Sequence, residues 1–496
     1  MVSKIVGYTL PLVCGAFLLA GCVTNDNERA AIDLDLTKTE AFFPVVDALS
    51  SASILRVNPH TMAYVGERTG TSYKLNKVDL DDPDEKTSQD IGGNVAVITA
   101  GGGKIGIIQA VEGGYETFAG SYTKIYDAVS LKLLKTFPLA PPSAGNRKVE
   151  PLHHRDPSLT ITDKYAVVLT EDDGFFGSSG AQQYISVYDI AGDKKASHTN
   201  AFSGEANGAR GDSNPALSVG TLMGAVVNGD YLILGGSMGT AVFKIDASGD
   251  TLAITKVADQ DGTGNHWFKG NGSYVLESKS NTGKVKVWKW NGADAPIAVG
   301  EVDVNGNTNG NVQALCFDPD NPATAYFYCK LAAGTGNGGK VYSVDLSAQG
   351  LPKTELFSFS HWVIGVTSRG NPTPAYYDCP LTGLWTIEKQ KAGNDDYFVF
   401  SGSYSYNNNA TTVGAVFTIK NPKKEDNFGG TYTSDSNATL DTTGKVTVET
   451  FTAPWNTAVR TLKTFKSTSG DVYFAAKNYT ASGAASQYKL VLEKMN

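Results

Sequence analysis

The chain has 496 residues, 41% hydrophobic and 19% charged, with a formal net charge of -8. Losing residues 1–21 would remove Lys4 and no acid, leaving -9 and no basic block able to follow a phosphate backbone, which argues against nucleic acid as a partner. After Cys22 no apolar run reaches the length of a spanning helix, while 54 glycines, 23 tyrosines and 21 phenylalanines point to many short strands joined by tight turns.

At the N-terminus Lys4 precedes an apolar stretch from Ile5 to Ala20, closed by Leu19-Ala20-Gly21-Cys22. Small residues before a cysteine let lipidating and cleaving enzymes reach the backbone, and so short a stretch is expected to be a signal rather than a span. The expected layout is a lipoprotein signal peptide at 1–21, a lipidated polar tether at 22–36 and one folded domain at 37–496. An uncleaved anchor or an ordinary secretory signal is the alternative.

Through the domain one hairpin recurs. An apolar strand and a loop lead to a second strand that ends in an acid or amide. It reads Ala63-Tyr64-Val65 with Tyr73 to Asp79, then Ile105 to Ala110 with Lys124 to Asp127, then Tyr165 to Leu169 with Ile185 to Asp189. It returns at Tyr231 to Leu234 with Ala241 to Asp246, at Tyr274 to Leu276 with Val285 to Asn291, and at Ala325 to Tyr328 with Val341 to Asp345. Tyr397 to Phe400 with Ala415 to Lys420, and Val472 to Phe474 with Tyr488 to Glu493, complete the set. Successive end markers lie 45 to 75 residues apart, the spacing of propeller blades with enlarged loops. The hairpins are expected to alternate apolar and polar residues between neighbouring sheets. The fold class predicted is an all-β, eight-bladed β-propeller, with seven blades as the alternative.

The last hairpin runs out at Asn496 with no residues left for an outer strand. The apolar segment Thr39 to Ala48, containing Phe42 to Val46, is expected to supply that strand and so remove an open edge. Cys316 and Cys329 flank Asp318-Pro319-Asp320-Asn321-Pro322 at similar distances, so a disulfide across an antiparallel pair and two buried thiols are both open.

Several motifs are better read as loops. Gly235-Gly236-Ser237-Met238-Gly239 matches a nucleophile elbow but is flanked by strands on both sides, and Gly334, Gly336 and Gly339 run into a strand instead of a helix. Asp303 to Asn307 lacks the glycine and closing glutamate of a calcium loop, and the adjacent His153 and His154 do not have ligand spacing. The acids Asp81, Asp82, Asp84 and Glu85 read as a solvated run. No nucleophile with its base can be assigned, and no cofactor is implied.

In a propeller the loops between second and third strands, and those leading into each next blade, gather on one face. Here they carry cations beside aromatics: Arg147, Lys148, His153, His154 and Arg155; Arg210; His266, Trp267 and Lys269; His361 and Trp362; Trp455 and Arg460. Arg68, Phe175, Phe176, Tyr404, Tyr406 and Tyr479 join them from the hairpins. The ligand-binding candidates are His154, Arg155, Arg210, His266, Trp267, His361, Trp362, Trp455, Arg460 and Tyr479, a local positive well for an anionic, planar ligand. Any one of the aromatics is as readily a plug between blades.

A lipobox at Cys22, the acidic start Asn25-Asp26-Asn27-Glu28 and repeats of the Tyr188-Asp189 and Val344-Asp345 type resemble the DUF4374 lipoproteins of Bacteroidetes. The resemblance spans nearly all of the mature chain. It implies a non-enzymatic, surface-exposed outer-membrane lipoprotein, held by the Cys22 lipid, that captures a ferric catecholate siderophore such as ferric enterobactin. It further implies delivery to a TonB-dependent outer-membrane receptor for iron uptake. Such a ligand carries three negative charges and three flat rings, and its iron is already six-coordinate, so protein metal ligands are not expected. The alternatives are a glycan-binding lipoprotein, or a propeller polysaccharide hydrolase or lyase using acids such as Asp156 or Asp212.

Overall fold

In a computed structural model the chain is described over its strand framework from residue 31 to residue 495. Outside the described residues lie 1–30, 35–51, 80–85, 111–121, 140–148, 152–157, 173–181, 204–221, 262–265, 305–310, 331–336, 407–410, 433–444, 452–460, most of 361–385 and a few turn residues. The described residues form strands and turns with no helix, in line with the all-β expectation.

Among the described residues eight sheets of four or five strands follow one another along the chain, antiparallel except where Asn427–Phe428 joins the sixth in parallel. The first is Ala52–Val57, His60–Thr69, Ser72–Asp79 and Lys86–Asp90; the second is Asn94–Gly101, Lys104–Ala110, Tyr122–Asp127 and Leu133–Pro138. In the third, Val149–Pro151 and Leu159–Ile161 share the edge of Tyr165–Asp172, followed by Gln182–Asp189 and Ser197–Ser203. The fourth is Leu222–Asn228, Tyr231–Gly236, Gly239–Asp246 and Ala253–Asp261; the fifth is His266–Gly270, Tyr274–Lys279, Lys284–Lys289 and Ile297–Asp303. The sixth is Asn311–Phe317, Thr324–Lys330, Asn337–Asp345 and Lys353–Ser360, its outer edge covered by Asn427–Phe428; the seventh is Thr386–Ala392, Asp395–Tyr406, Thr411–Lys420 and Val446–Phe451. The eighth joins Thr461–Lys466, Val472–Ser482 and Ala485–Met495 to Ala31–Leu34 from the other end of the chain.

That last pairing places Ala31 opposite Glu493 and Leu34 opposite Leu490. The outer position on the eighth sheet is thus held by residues that the sequence reading leaves in the tether. The expected segment, Thr39 to Ala48, lies outside the described residues.

First strands lie against each other from the first sheet to the fifth and from the sixth to the eighth, and the cores sit between the sheets. Between the third and fourth pack Val167, Leu169, Ile185 and Val187 with Leu232, Leu234 and Phe243; between the fourth and fifth pack Ile233 and Val242 with Val275 and Trp288. Aromatic rings fill the gap between sixth and seventh, where Phe357 meets Phe398 at 5.3 Å and Tyr326 meets Phe398 at 5.1 Å. Each such side chain removed from water contributes about 1.5–3 kcal/mol.

Packing on both faces corrects one sequence expectation. Second strands such as Tyr165–Asp172 do not alternate and are buried at every position, because a neighbour covers each face, whereas the third strand Lys284–Lys289 still alternates in part. Alternation survives on outer strands such as Ile297–Asp303, whose open side faces solvent.

The cysteine question is settled by register. Cys316 pairs with Tyr326 and Cys329 with Val312, so the two side chains point to opposite faces, and both are buried thiols. The elbow-like glycine run is a hairpin, with Gly236 opposite Gly239 around Ser237-Met238.

The marker acids have a structural duty. Asp127 Oδ1 accepts from the Val129 and Ser130 amides, Asp189 from Gly192 and Lys194, and Asp345 from Ser347 and Ala348, each shaping the turn from third to fourth strand. Side chains then tie each turn to the next sheet. The Tyr64 hydroxyl donates to the Ala128 carbonyl at 2.6 Å, Lys135 to the Gly192 carbonyl at 2.8 Å, Lys194 to the Gly249 carbonyl at 2.6 Å, and Asn228 to the Gly272 carbonyl at 3.0 Å.

Candidate functional site

The two ends of the sheets differ. At one end, which we call the turn end, first strands pass to second strands and third to fourth, often through two residues, as at 102–103, 229–230 and 393–394. At two of these turns the backbone is packed against the next sheet too closely for a side chain. A Cβ on Gly229, whose φ is +57°, would sit 1.9 Å from the Gly292 carbonyl oxygen of the next sheet, and one on Gly102 would sit 2.2 Å from the Asp163 amide. At the other, the loop end, second strands pass to third strands and each sheet passes to the next. Its connections include the long segments 111–121, 173–181, 204–221 and 361–385 beside two-residue hairpins such as 237–238, while the one long connection of the turn end among the described sheets is 421–445. A rigid frame at one end and long connections at the other is the arrangement that carries binding sites.

Of the sequence candidates, His154, Arg155, Arg210, His361, Trp455 and Arg460 lie outside the described residues. Four others are placed by backbone. His266 and Trp267 open the first strand of the fifth sheet, opposite Lys279 and Ser278. Tyr479 lies towards the loop end of the eighth sheet, opposite Tyr488. Trp362 opens Trp362–Ile364, a short strand between the sixth and seventh sheets that pairs with Ala375–Tyr377. Strand direction and register place His266, Trp267 and Tyr479 towards the loop end.

Lys269, grouped with them by sequence, is otherwise engaged. Its ammonium pairs with Glu388 Oε1 at 3.2 Å and donates to the Leu315 carbonyl at 3.2 Å. Burial works against its charge, but Glu388 and nearby Cys316 outweigh it and hold its pKa above the ordinary lysine value. This cation is committed to joining first strands.

What the sequence reading missed is a set of buried acids at the loop end. Glu171 and Asp172 close the second strand of the third sheet, only 2% and 1% exposed. Gln183 Nε2 donates to Glu171 Oε2 at 2.9 Å, while Gln183 Oε1 accepts from the Leu222 amide of the fourth sheet at 2.7 Å. Asp172 accepts from the Gln182 amide at 2.9 Å and the Tyr184 hydroxyl at 3.2 Å. At the matching place in the fifth sheet, Glu277 accepts from Trp288 Nε1 at 2.8 Å and from the Thr240 hydroxyl of the fourth sheet. The available signal was an acid ending an otherwise apolar strand, as in Tyr165–Asp172.

Chemically these acids are anchors. Glu171 and Asp172 are sequence neighbours on a strand, so they face opposite sides and cannot flank one scissile bond. Among the described residues no group of three or more metal-ligating side chains forms.

No family profile and no curated protein matches the chain. Among solved structures it is similar to Hsv2 of Kluyveromyces lactis, at 10% identity over 79% of this chain and 94% of that one, with a TM-score of 0.37. It is also similar to apo AztD of Citrobacter koseri, at 13% identity over 80% and 89%, with a TM-score of 0.38. A protein from Lactobacillus plantarum gives 14% identity over 79% and 96%, with a TM-score of 0.38. Likeness at this level assigns no activity.

Proposed function

We propose that the chain is a lipid-anchored, non-enzymatic binding protein of the outer cell surface. It takes a ferric catecholate siderophore at the loop end and passes it to a TonB-dependent outer-membrane transporter. In this reading the eight sheets are the blades of a closed propeller, and Ala31–Leu34 completes the eighth. The observation that carries the reading is the contrast between the two ends. Two of the turns are knitted to the next sheet by short backbone contacts, whereas the loop-end connections 204–221 and 452–460 carry Arg210, Trp455 and Arg460 in their sequence.

A tris-catecholate offers three negative charges and flat rings, which guanidinium groups and indoles complement. The buried acids below serve the same end by fixing the strands from which those connections spring. No bond is made or broken, so neither a nucleophile nor a resident metal is required.

Titration of the soluble domain with ferric enterobactin, followed by tryptophan fluorescence, tests the reading. Saturable quenching at micromolar ligand is expected, weaker at higher salt because part of the attraction is long-range. Arg155→Ala or Arg210→Ala is expected to cost about 2–5 kcal/mol of binding if the charge contact is desolvated. Absence of binding, together with binding or cleavage of a polysaccharide, would replace this reading with the glycan one.

A further inference from the structure

We infer that the turn end of the domain faces a lipid surface and the loop end points away from it. This inference rests on the reading of Cys22 as the lipid-bearing residue. In the eighth sheet Ser482 pairs with Ala485 at the loop end and Val472 with Met495 at the turn end. Ala31 lies opposite Glu493 and Leu34 opposite Leu490, so Ala31–Leu34 starts at the turn end and runs towards the loop end. Whatever precedes Ala31 therefore leaves the domain at the turn end.

Only residues 23–30 separate Cys22 from that point. Fully extended they span about 30 Å, and as a coil nearer ~16 Å, which is less than the width of a domain this size. A strand of eight residues is about 26 Å long, so the loop end would have to swing through most of a domain height to touch the same surface. As a coil the tether falls short of that height, and only a chain drawn out almost to full extension would reach it.

A second observation agrees. Among the described residues the two most exposed large apolar side chains are Ile297 at 66% and Val129 at 58%. Both lie at the turn end: Val129 sits in the turn after Asp127, and Ile297 starts an outer strand opposite Lys289. A lipid headgroup layer would cover such side chains. The orientation leaves the candidate binding residues facing outward, open to a ligand arriving from the medium.

The test uses the full lipidated protein in phosphatidylethanolamine–phosphatidylglycerol vesicles that carry an energy-acceptor lipid. In a Cys379→Ser background, a donor dye is placed at Ser248→Cys or at Met238→Cys, at opposite ends of the third strand of the fourth sheet. Transfer is expected to be clearly stronger from position 248. Inserting twenty Gly/Ser residues between Cys22 and Ala31 is expected to shrink the difference.

Equal transfer from both positions, or stronger transfer from 238, overturns the orientation while leaving the anchor intact. A difference that survives the longer tether overturns the role given to tether length. Failure of the wild-type protein to co-float with vesicles, or co-flotation of Cys22→Ala, overturns the anchor reading itself.

Discussion

Lys269 in the fifth sheet reaches Glu388 in the seventh, 3.2 Å away, passing the Leu315 carbonyl of the sixth on the way. One side chain thus touches the first strands of three consecutive sheets. Only a tight convergence of those strands permits it, and the contact links positions 119 residues apart in the chain.

Glu388→Gln removes one charge and leaves the partly buried ammonium of Lys269 without its counterion. The pair is neither fully buried nor open, with side chains 31% and 15% exposed, so a loss of about 1–3 kcal/mol is expected in urea unfolding. Lys269→Met combined with Glu388→Leu is expected to recover part of that loss. A single variant as stable as wild type would show that the pair contributes nothing.

The turn-capping acids set a pH dependence. The Ser130 amide and hydroxyl hold the Asp127 carboxyl below the usual range; the Ser248 amide does the same for Asp246, and the Ser347 hydroxyl and amide for Asp345. A carboxyl lowered in the folded state stabilises it fully above its unfolded pKa, near 4, and loses that contribution as pH falls through the folded value. The melting temperature is therefore expected to fall between pH 5 and pH 3. Asp127→Asn should flatten this slope, with a loss of about 1 kcal/mol at pH 7.

Gly229→Ala combines a left-handed backbone with a clash against the Gly292 carbonyl. A loss of about 2–4 kcal/mol is expected, since neither turn has room to retreat. Gly103→Ala, at φ +70° with open space around it, is the control and should lose only the smaller backbone share. Equal losses in the two would mean that the fourth and fifth sheets do not interlock there.

Burial, reinforced by Asp303, pushes the Cys329 thiol up to about 12. In the protein from residue 23 onward with Cys379 replaced, the native form should react negligibly with a thiol-specific disulfide reagent at pH 8, and two equivalents, from Cys316 and Cys329, should appear on unfolding without reductant. A native protein that yields no thiol when unfolded would restore the disulfide that the strand register argues against.

The repeated unit was legible because its signals are local. Pairs such as Tyr188-Asp189 and Val344-Asp345 mark a strand end and a turn cap at once, and the cap can be read from the residue type alone. Eight such hairpins in the sequence correspond to eight sheets. The acids of the loop end were not legible. Whether Glu171 and Glu277 are solvated or buried depends on Gln183, Trp288 and Thr240, which come from other strands. Lys269 was misplaced for the same reason, since its partner lies two sheets further on. The strand at Ala31–Leu34 escaped notice because four residues are too few to show a period, and Phe42 to Val46 offered a stronger apolar signal nearby.

Joining Ala31–Leu34 to Ala485–Met495 has a consequence for how the protein is made. The first of the described strands to leave the ribosome belongs to the last sheet, and its partner is synthesised roughly half a minute or more later at typical elongation rates. Throughout that interval the early strand has nothing to pair with, and a chain stopped short of residue 485 leaves it permanently stranded. Completion of the molecule is thereby read at its beginning: a truncated product leaves its N-terminal strand without the edge it pairs with, where proteases can find it.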